Sequence, residues 1–555
     1  LQQNYAASEE GCFMNSFKPE LLLSLRSYSK DQLIKDLIAG VIVAIIALPL
    51  SIALALASGV NPEQGLYTAI VAGFLIAALG GSKVQISGPT AAFATIVAGI
   101  VARNGMSGLA LATIMAGITL VLMGLFKLGN LIRFIPFTIT TGFTSGIAVT
   151  ILIGQLKDFF GVTYAAGTVA VETMEKAKAL AENFSTFNPY ALLVGALCLL
   201  ILIFWPRISR RIPGSLIAIV ASVLLVKLCN LPVNTIGDLY SISSSLPAFT
   251  LPEFSFSAVG ALLPDALTIA VLAAIESLLS CVVADGMIGS KHNSNMELVA
   301  QGIGNIGSAL FGGIPATGAI ARTAANIKNG GRTPVVGIVH AVVLLLILVV
   351  LMPYAALIPM PAIAAILLMV AYNMSEWRQF ARIVKTAPKS DVLVLVLTFL
   401  LTVVFDLVIA IEVGLILTCV LFMKRMSDTT KLRKWEDNAD NSAFKNISPN
   451  AAVYELSGPL FFGAADEILK VSAETGKNCI VLRMKGVTAI DSTGLRNLER
   501  LFAQCTEAGI VLILSHLNEQ PRKTLEKSGL LEKIGSKNIC PQIDAALLRA
   551  AELAE

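Results

Sequence analysis

Along most of the chain, polar positions are confined to short breaks between long apolar runs. A helix needs about 20 apolar residues to cross the hydrocarbon of a bilayer, and fewer where a half-helix is sheltered by protein. On that measure the pattern predicts fourteen segments in two sets of seven. The first set falls near 34–58, 66–79, 87–102, 108–127, 132–156, 190–206 and 214–229. The second falls near 264–284, 297–312, 315–326, 334–353, 357–373, 390–405 and 407–424. After about Trp435 the pattern changes. Strand-like runs at Ala452–Leu456, Ile480–Met484 and Ile510–Leu514 alternate with helical runs starting near Ala464, Ser492 and Pro521, the signature of a small α/β domain. The expected organisation is an N-terminal segment over 1–30, an all-α polytopic membrane domain over 31–426, a linker over 427–449 and a soluble domain over 450–555.

Composition agrees with a bilayer as the main solvent. The chain is 55% hydrophobic and 14% charged, with mean hydropathy +0.77, too apolar for 555 residues of soluble fold. A net charge of +4, spread over the ends of apolar runs, sets nucleic acid aside as a partner. Glycine-rich nucleotide loops, zinc spacings and nucleophile motifs are lacking, so neither an enzyme nor a cofactor or metal is expected. The eight cysteines follow no metal or disulfide spacing. Up to Ser29 the sequence has none of the features of a secretory signal.

Charge orients the spans, because cytoplasmic loops collect Lys and Arg. With the N-terminus inside, the loops holding Arg207, Arg210 and Arg211, and then Arg378, Arg382, Lys385 and Lys389, fall on the inner side. The stretch from Cys229 to Pro264 has neither Lys nor Arg and falls outside. Both termini are therefore expected in the cytoplasm, across a bacterial inner membrane.

The third segment of each half is short and opens with glycine and proline, one as Ser87-Gly88-Pro89-Thr90-Ala91, the other as Pro315-Ala316-Thr317-Gly318-Ala319. Matched interruptions in two halves point to an inverted repeat whose broken helices meet at mid-membrane. Two helix N-termini facing one cavity offer unpaired N–H donors and partial positive charge, which suits an anion. Arg322, about two turns into the second half-helix counted from Pro315, adds a permanent charge and a planar donor fork. Glu276 is the one acidic residue in the middle of the eighth segment. An intramembrane carboxylate marks an ion or proton pathway. The alternative is a static Glu276–Arg322 ion pair that only joins the two elements.

These residues resemble the SulP (sulfate permease) family, through Ile38-Ala39-Gly40, Ala47-Leu48-Pro49, Gly65-Leu66-Tyr67, Gly80-Gly81-Ser82, Ser87-Gly88-Pro89-Thr90-Ala91, Asp285-Gly286 and Gly302-Ile303-Gly304-Asn305. Within it, Glu276-Ser277-Leu278-Leu279, Lys291-His292, Asn373-Met374-Ser375-Glu376 and Gly458-Pro459-Leu460-Phe461-Phe462 are similar to bacterial members that carry C4-dicarboxylates. The resemblance implies a seven-plus-seven inverted repeat, core and gate domains, elevator-like movement and a homodimer. It implies an anion held at Thr90 and Ala91 and at Ala319, Ile320, Ala321 and Arg322. Glu276 and Ser280 then stand where a sodium-dependent bicarbonate relative has Asp and Thr. The departures at Glu276, Ile320 and Arg322 favour a proton over sodium. Proton-coupled uptake of succinate, fumarate or aspartate is thus the main expectation, with sulfate or bicarbonate transport or anion exchange as the alternative. A channel or neutral-solute carrier on the same fold is a second alternative, against which Arg322 argues.

In the tail, Ile490-Asp491-Ser492-Thr493-Gly494-Leu495 resembles the loop-to-helix signature of STAS domains. Asp491 or Ser492 suits the helix cap. The matching serine is phosphorylated in stand-alone relatives, which makes Ser492 a regulatory candidate, and in some relatives the tail contacts acyl carrier protein.

Overall fold

The structure, a computed structural model, describes residues 17–130, 136–165, 170, 172–209, 213–252, 255–405, 407–435, 448–471 and 477–553. Arg210, Arg211 and most of the expected linker lie outside these residues. The chain divides into two compact units, Leu1–Leu415 and Ile416–Glu555.

The first unit is helical. Its membrane helices are α1 (Lys30–Ala57), α2 (Pro62–Leu79), α3 (Ala91–Leu125), α4 (Phe137–Phe160), α5 (Pro189–Ile208), α6 (Gly214–Cys229), α7 (Phe256–Ile288), α8 (Ser294–Leu310), α9 (Ile320–Lys328), α10 (Val335–Ala355), α11 (Met360–Ser375), α12 (Lys389–Val404) and α13 (Leu407–Thr429), the last running on into the second unit. Gly105 breaks α3 with φ 65° and ψ −173°, a conformation open to glycine, so the third and fourth expected spans are two helical segments in one run. Among the described residues, eight helices are long and apolar enough to cross a membrane unaided. This is a multi-pass membrane domain.

Helices pack in two groups, each drawing on both halves of the chain. One joins α1, α2, α3, α7, α8, α9 and α10; the other joins α4, α5, α6, α11 and α12. Small residues bring the first group into backbone contact, since a Cβ on Gly302 would stand 2.4 Å from the Gly117 carbonyl oxygen.

The second unit carries a five-stranded sheet in the order β3 (Lys431–Lys434), β4 (Ala451–Ser457), β5 (Cys479–Gly486), β6 (Val511–Ser515), β7 (Ile539–Cys540). β3 is antiparallel to β4, and the rest are parallel. Alternate strand residues serve opposite faces. Ala452, Tyr454, Ile480 and Leu482 pack with Leu498 and Leu501 of α14 (Ser492–Glu507), together with Leu525 of α15 (Glu519–Lys527) and Leu530 of α16 (Leu530–Ile534). Val453, Val481 and Ile513 pack against Ala546 and Leu547 of α17 (Ile543–Glu552). β3 lies inside the stretch expected as linker, which the sheet takes as its edge strand.

Candidate functional site

Two short strands organise the membrane site. β1 (Ser87–Gly88) pairs antiparallel with β2 (Thr317–Gly318), Ser87 opposite Gly318 and Gly88 opposite Thr317. The Ala319 N–H donates to the Ile86 carbonyl at 2.8 Å. Each strand leads within three residues into a helix, α3 at Ala91 and α9 at Ile320. The two N-termini therefore flank the pair from its two ends.

This corrects the expected helix starts. Residues 87–88 and 317–318 are spent on the ladder, so the half-helices do not begin at Ser87 and Pro315. Arg322 is accordingly the third residue of α9 rather than two turns into it. Neither N-cap side chain, Thr90 or Ala319, caps its own helix, which leaves first-turn N–H groups without a side-chain acceptor at the positive end of each dipole.

Thr90 is half-buried and turns its hydroxyl to α7, where Oγ1 donates to Glu276 Oε2 at 2.9 Å. Arg322 is 3% exposed. Its Nη2 donates to the Pro89 carbonyl, across the pair from its own helix, and its Nη1 is buried without a hydrogen-bond partner among the described residues. Glu276 and Arg322 form no ion pair with each other, and among the described residues Arg322 has no salt-bridge partner. Ala91 and Ala319 are buried, while the side chains of Ile320 and Ala321 are exposed, so these two bring backbone N–H groups rather than side chains. Ser280 is buried and donates to Thr323 Oγ1 at 3.4 Å. Thr323 Oγ1 in turn accepts from the Ile86 N–H at 3.1 Å, so Ser280 supports the ladder through Thr323.

The residues that hold the pair in place are ones the sequence reading did not single out for that task. Glu297, Gln301, Asn305 and Ser308 form a fully buried polar stripe along α8. Glu297 accepts from the Gly81 N–H at 2.9 Å, from Gln85 Nε2 at 2.8 Å and from Gln301 Nε2 at 2.9 Å. Gln301 Nε2 also donates to Ser87 Oγ at 3.1 Å. Asn305 grips Ala316 at both ends, accepting its N–H at 2.8 Å and donating to its carbonyl at 2.9 Å. Ser308 donates to the Ile314 carbonyl at 2.7 Å. From α7, Ser277 Oγ meets Thr317 Oγ1 at 2.7 Å and accepts the Gly318 N–H at 3.0 Å. The signal was present as four polar residues at helical spacing in an otherwise apolar segment. His340 on α10 is likewise sealed, with neither ring nitrogen hydrogen-bonded among the described residues. Among the described residues no group of three or more His, Cys, Asp or Glu side chains is placed to hold a metal ion.

In the tail, Asp491 caps α14, its Oδ1 accepting the Thr493 and Gly494 N–H groups at 2.9 and 2.8 Å. Ser492 is the exposed first helical residue and not the cap.

Known proteins resemble this chain in sequence and fold. The sequence pattern of the sulfate permease family matches residues 33–398, and that of the STAS domain matches residues 444–546. YvdB of Bacillus subtilis, which bears the name of a sulfate transporter, is 42% identical over 522 residues, 92% of this chain and 97% of that protein. Bicarbonate transporter BicA of a Picosynechococcus is 31% identical over 521 residues, 90% of this chain and 91% of its own. The transmembrane domain of a cyanobacterial BicA superposes with TM-score 0.61 at 32% identity, over 71% of this chain and 98% of that one. Murine Slc26a9 shares the fold, with TM-score 0.88 at 18% identity over 98% of this chain and 95% of that one.

Proposed function

The chain belongs to the sulfate permease family, as a multi-pass anion transporter with a C-terminal STAS domain rather than an enzyme, and from that premise we propose that its cargo is a small oxyanion, sulfate or bicarbonate. The observation that carries this reading is the β1–β2 pair, which gathers two uncapped helix N-termini around one buried guanidinium. A compact oxyanion presents several acceptor oxygens close together, matching donors that converge from two backbones and one Arg322 fork. YvdB and BicA, named above, are called sulfate and bicarbonate transporters, which favours an oxyanion over a C4-dicarboxylate.

Glu276 is the proposed coupling group. Its carboxylate is tied to Thr90 at the start of α3, next to the proposed anion position, so its protonation removes a negative charge from beside an incoming anion. Glu276→Gln, fixed in the neutral form, keeps anion binding and exchange and loses accumulation driven by a proton gradient. Undiminished proton-driven accumulation by this variant, or a strict sodium requirement of the parent, defeats the coupling. Elevator-like movement, a homodimer, cytoplasmic termini in a bacterial inner membrane and contact of acyl carrier protein with the tail rest on the family resemblance and belong to the same proposal.

The deciding experiment is uptake of sulfate, bicarbonate, succinate and fumarate side by side into proteoliposomes, with and without a pH gradient. Sulfate or bicarbonate uptake that outpaces both dicarboxylates is expected. Preference for succinate or fumarate refutes the oxyanion reading.

A further inference from the structure

Between α11 and α12 the chain forms a ten-residue helix, Trp377–Thr386, with no buried residue. Both flanking helices belong to the membrane domain, so this short helix has to lie at a membrane boundary. At 100° per residue, Arg378, Arg382 and Lys385 fall within one arc of about 60°. Phe380, Ile383, Val384 and Trp377 fall on the side away from it. The apolar side is divided between protein and surroundings. Phe380 meets the Phe399 ring of α12 edge-on at 5.4 Å, whereas Trp377 and Val384 remain 52% and 42% exposed. Arg378 lies over the Trp377 ring, 5.4 Å from its centroid, so a cation sits over an exposed aromatic ring. Among the described residues, Arg382 and Lys385 make no salt bridge.

We propose that the helix Trp377–Thr386 is a docking surface for anionic phospholipid headgroups, with Arg378, Arg382 and Lys385 on the phosphates and Trp377 and Val384 at the top of the acyl chains. The occupant follows from charge complementarity: three cations on one arc, beside a Trp at the position where an amphipathic ring meets the headgroup layer, match an anionic lipid surface. A neutral lipid would leave the arc unmatched. Because the helix joins α11 to α12, the lipid would tether the second helix group at the boundary.

The test uses the full chain with Trp377 as its one tryptophan, through Trp205→Phe and Trp435→Phe, reconstituted in phosphatidylcholine with increasing brominated phosphatidylglycerol or brominated phosphatidylcholine. Trp377 fluorescence should be quenched at a lower mole fraction of the anionic lipid, and that advantage should shrink in high salt. Each of Arg382→Gln and Lys385→Gln should weaken the preference about fivefold, and R378Q/R382Q/K385Q together roughly a hundredfold. Arg378→Lys and Arg382→Lys, which keep the charge, should retain it, as should a control with Arg522→Gln, Lys523→Gln and Lys527→Gln on α15. Equal quenching by the two lipids, a preference that survives the triple substitution, or no quenching by either lipid overturns the proposal.

Discussion

Gly88 offers a direct measure of whether the Arg322 guanidinium works as an anion ligand. A Cβ placed on Gly88 would stand 2.6 Å from Arg322 Nη1 and 3.5 Å from the Ala69 Cα. Ordinary carbon–nitrogen contact is about 3.4 Å, so Gly88→Ala must push the guanidinium back by roughly 0.8 Å. The clashing atom is the end of a flexible side chain. The fold should therefore absorb the methyl for about 1 kcal/mol, near the low end of overpacking costs. The larger effect falls on the site. With an effective dielectric of about 20, retreat of a unit charge from about 3 to 3.8 Å weakens its attraction for an anion by roughly 1 kcal/mol. Strain on the bond from Nη2 to the Pro89 carbonyl adds to this, so the dissociation constant should rise about tenfold. Calorimetric titration of purified protein with the anion preferred in uptake reads the change, and thermal unfolding reads the stability. In an Arg322→Ala background the added methyl finds space and should cost nothing further. An equal loss of affinity from Gly88→Ala with and without Arg322 would refute the ligand role.

Three further outcomes are expected. Asn305→Ala strands the buried N–H and carbonyl of Ala316, which should cost about 2–5 kcal/mol of stability and weaken anion binding, and Asn305→Asp should fail to restore either because its carboxylate would face the Gln301 and Ala316 carbonyls. In the tail, burial pushes the Cys505 thiol up to about 11. The folded value lies above the ordinary thiol value of about 8.5, so the neutral thiol favours the folded state at neutral pH and that contribution is lost as pH rises from about 8.5 toward 11; alkylation at pH 8 should label Cys505 only after denaturation. Lys178 is exposed on the short helix Thr173–Glu182 between α4 and α5, so Lys178→Cys should react with an impermeant maleimide from outside intact cells, and reaction only after permeabilisation would reverse the proposed orientation.

What the sequence discloses depends on how far each feature extends along it. Long apolar runs place the membrane helices because a span needs many consecutive residues, and Gly-Pro breaks mark the two half-helices because a regular helix tolerates neither well. β1 and β2 escape that reading. Each is two residues of Ser, Gly or Thr, and pairing between opposite halves of the chain is what makes them strands. β3 escapes as well, since Lys431, Arg433 and Lys434 give it the charged pattern of a protected edge and not that of a core strand. The carboxylate of Glu276 was legible as an intramembrane charge, but its partner was not. A side chain at mid-span reaches several neighbours, and whether it meets Arg322 or Thr90 is decided by helix phase within a fraction of a turn. The same one-residue ambiguity separates Asp491 from Ser492 as the cap.

The two halves contribute unequally to the site that their pairing creates. The first half brings Gly88, Pro89, Thr90 and Ala91, all uncharged, and the second brings Arg322. Support is more one-sided still. Glu297 and Gln301 tie down residues 81–87, and Asn305 and Ser308 tie down residues 314–316, so a single helix fixes both approaches to the ladder. Breaking either set would strand several buried polar groups at about 1–3 kcal/mol each. Ladder, α8 and the two helix N-termini therefore behave as one body. Any motion that exposes a bound anion first to one side and then to the other must carry α8 along. On the proposed elevator-like movement the sliding surface would fall between the two helix groups, where α1 meets α11 and α3 meets α4, and would leave the proposed anion contacts intact.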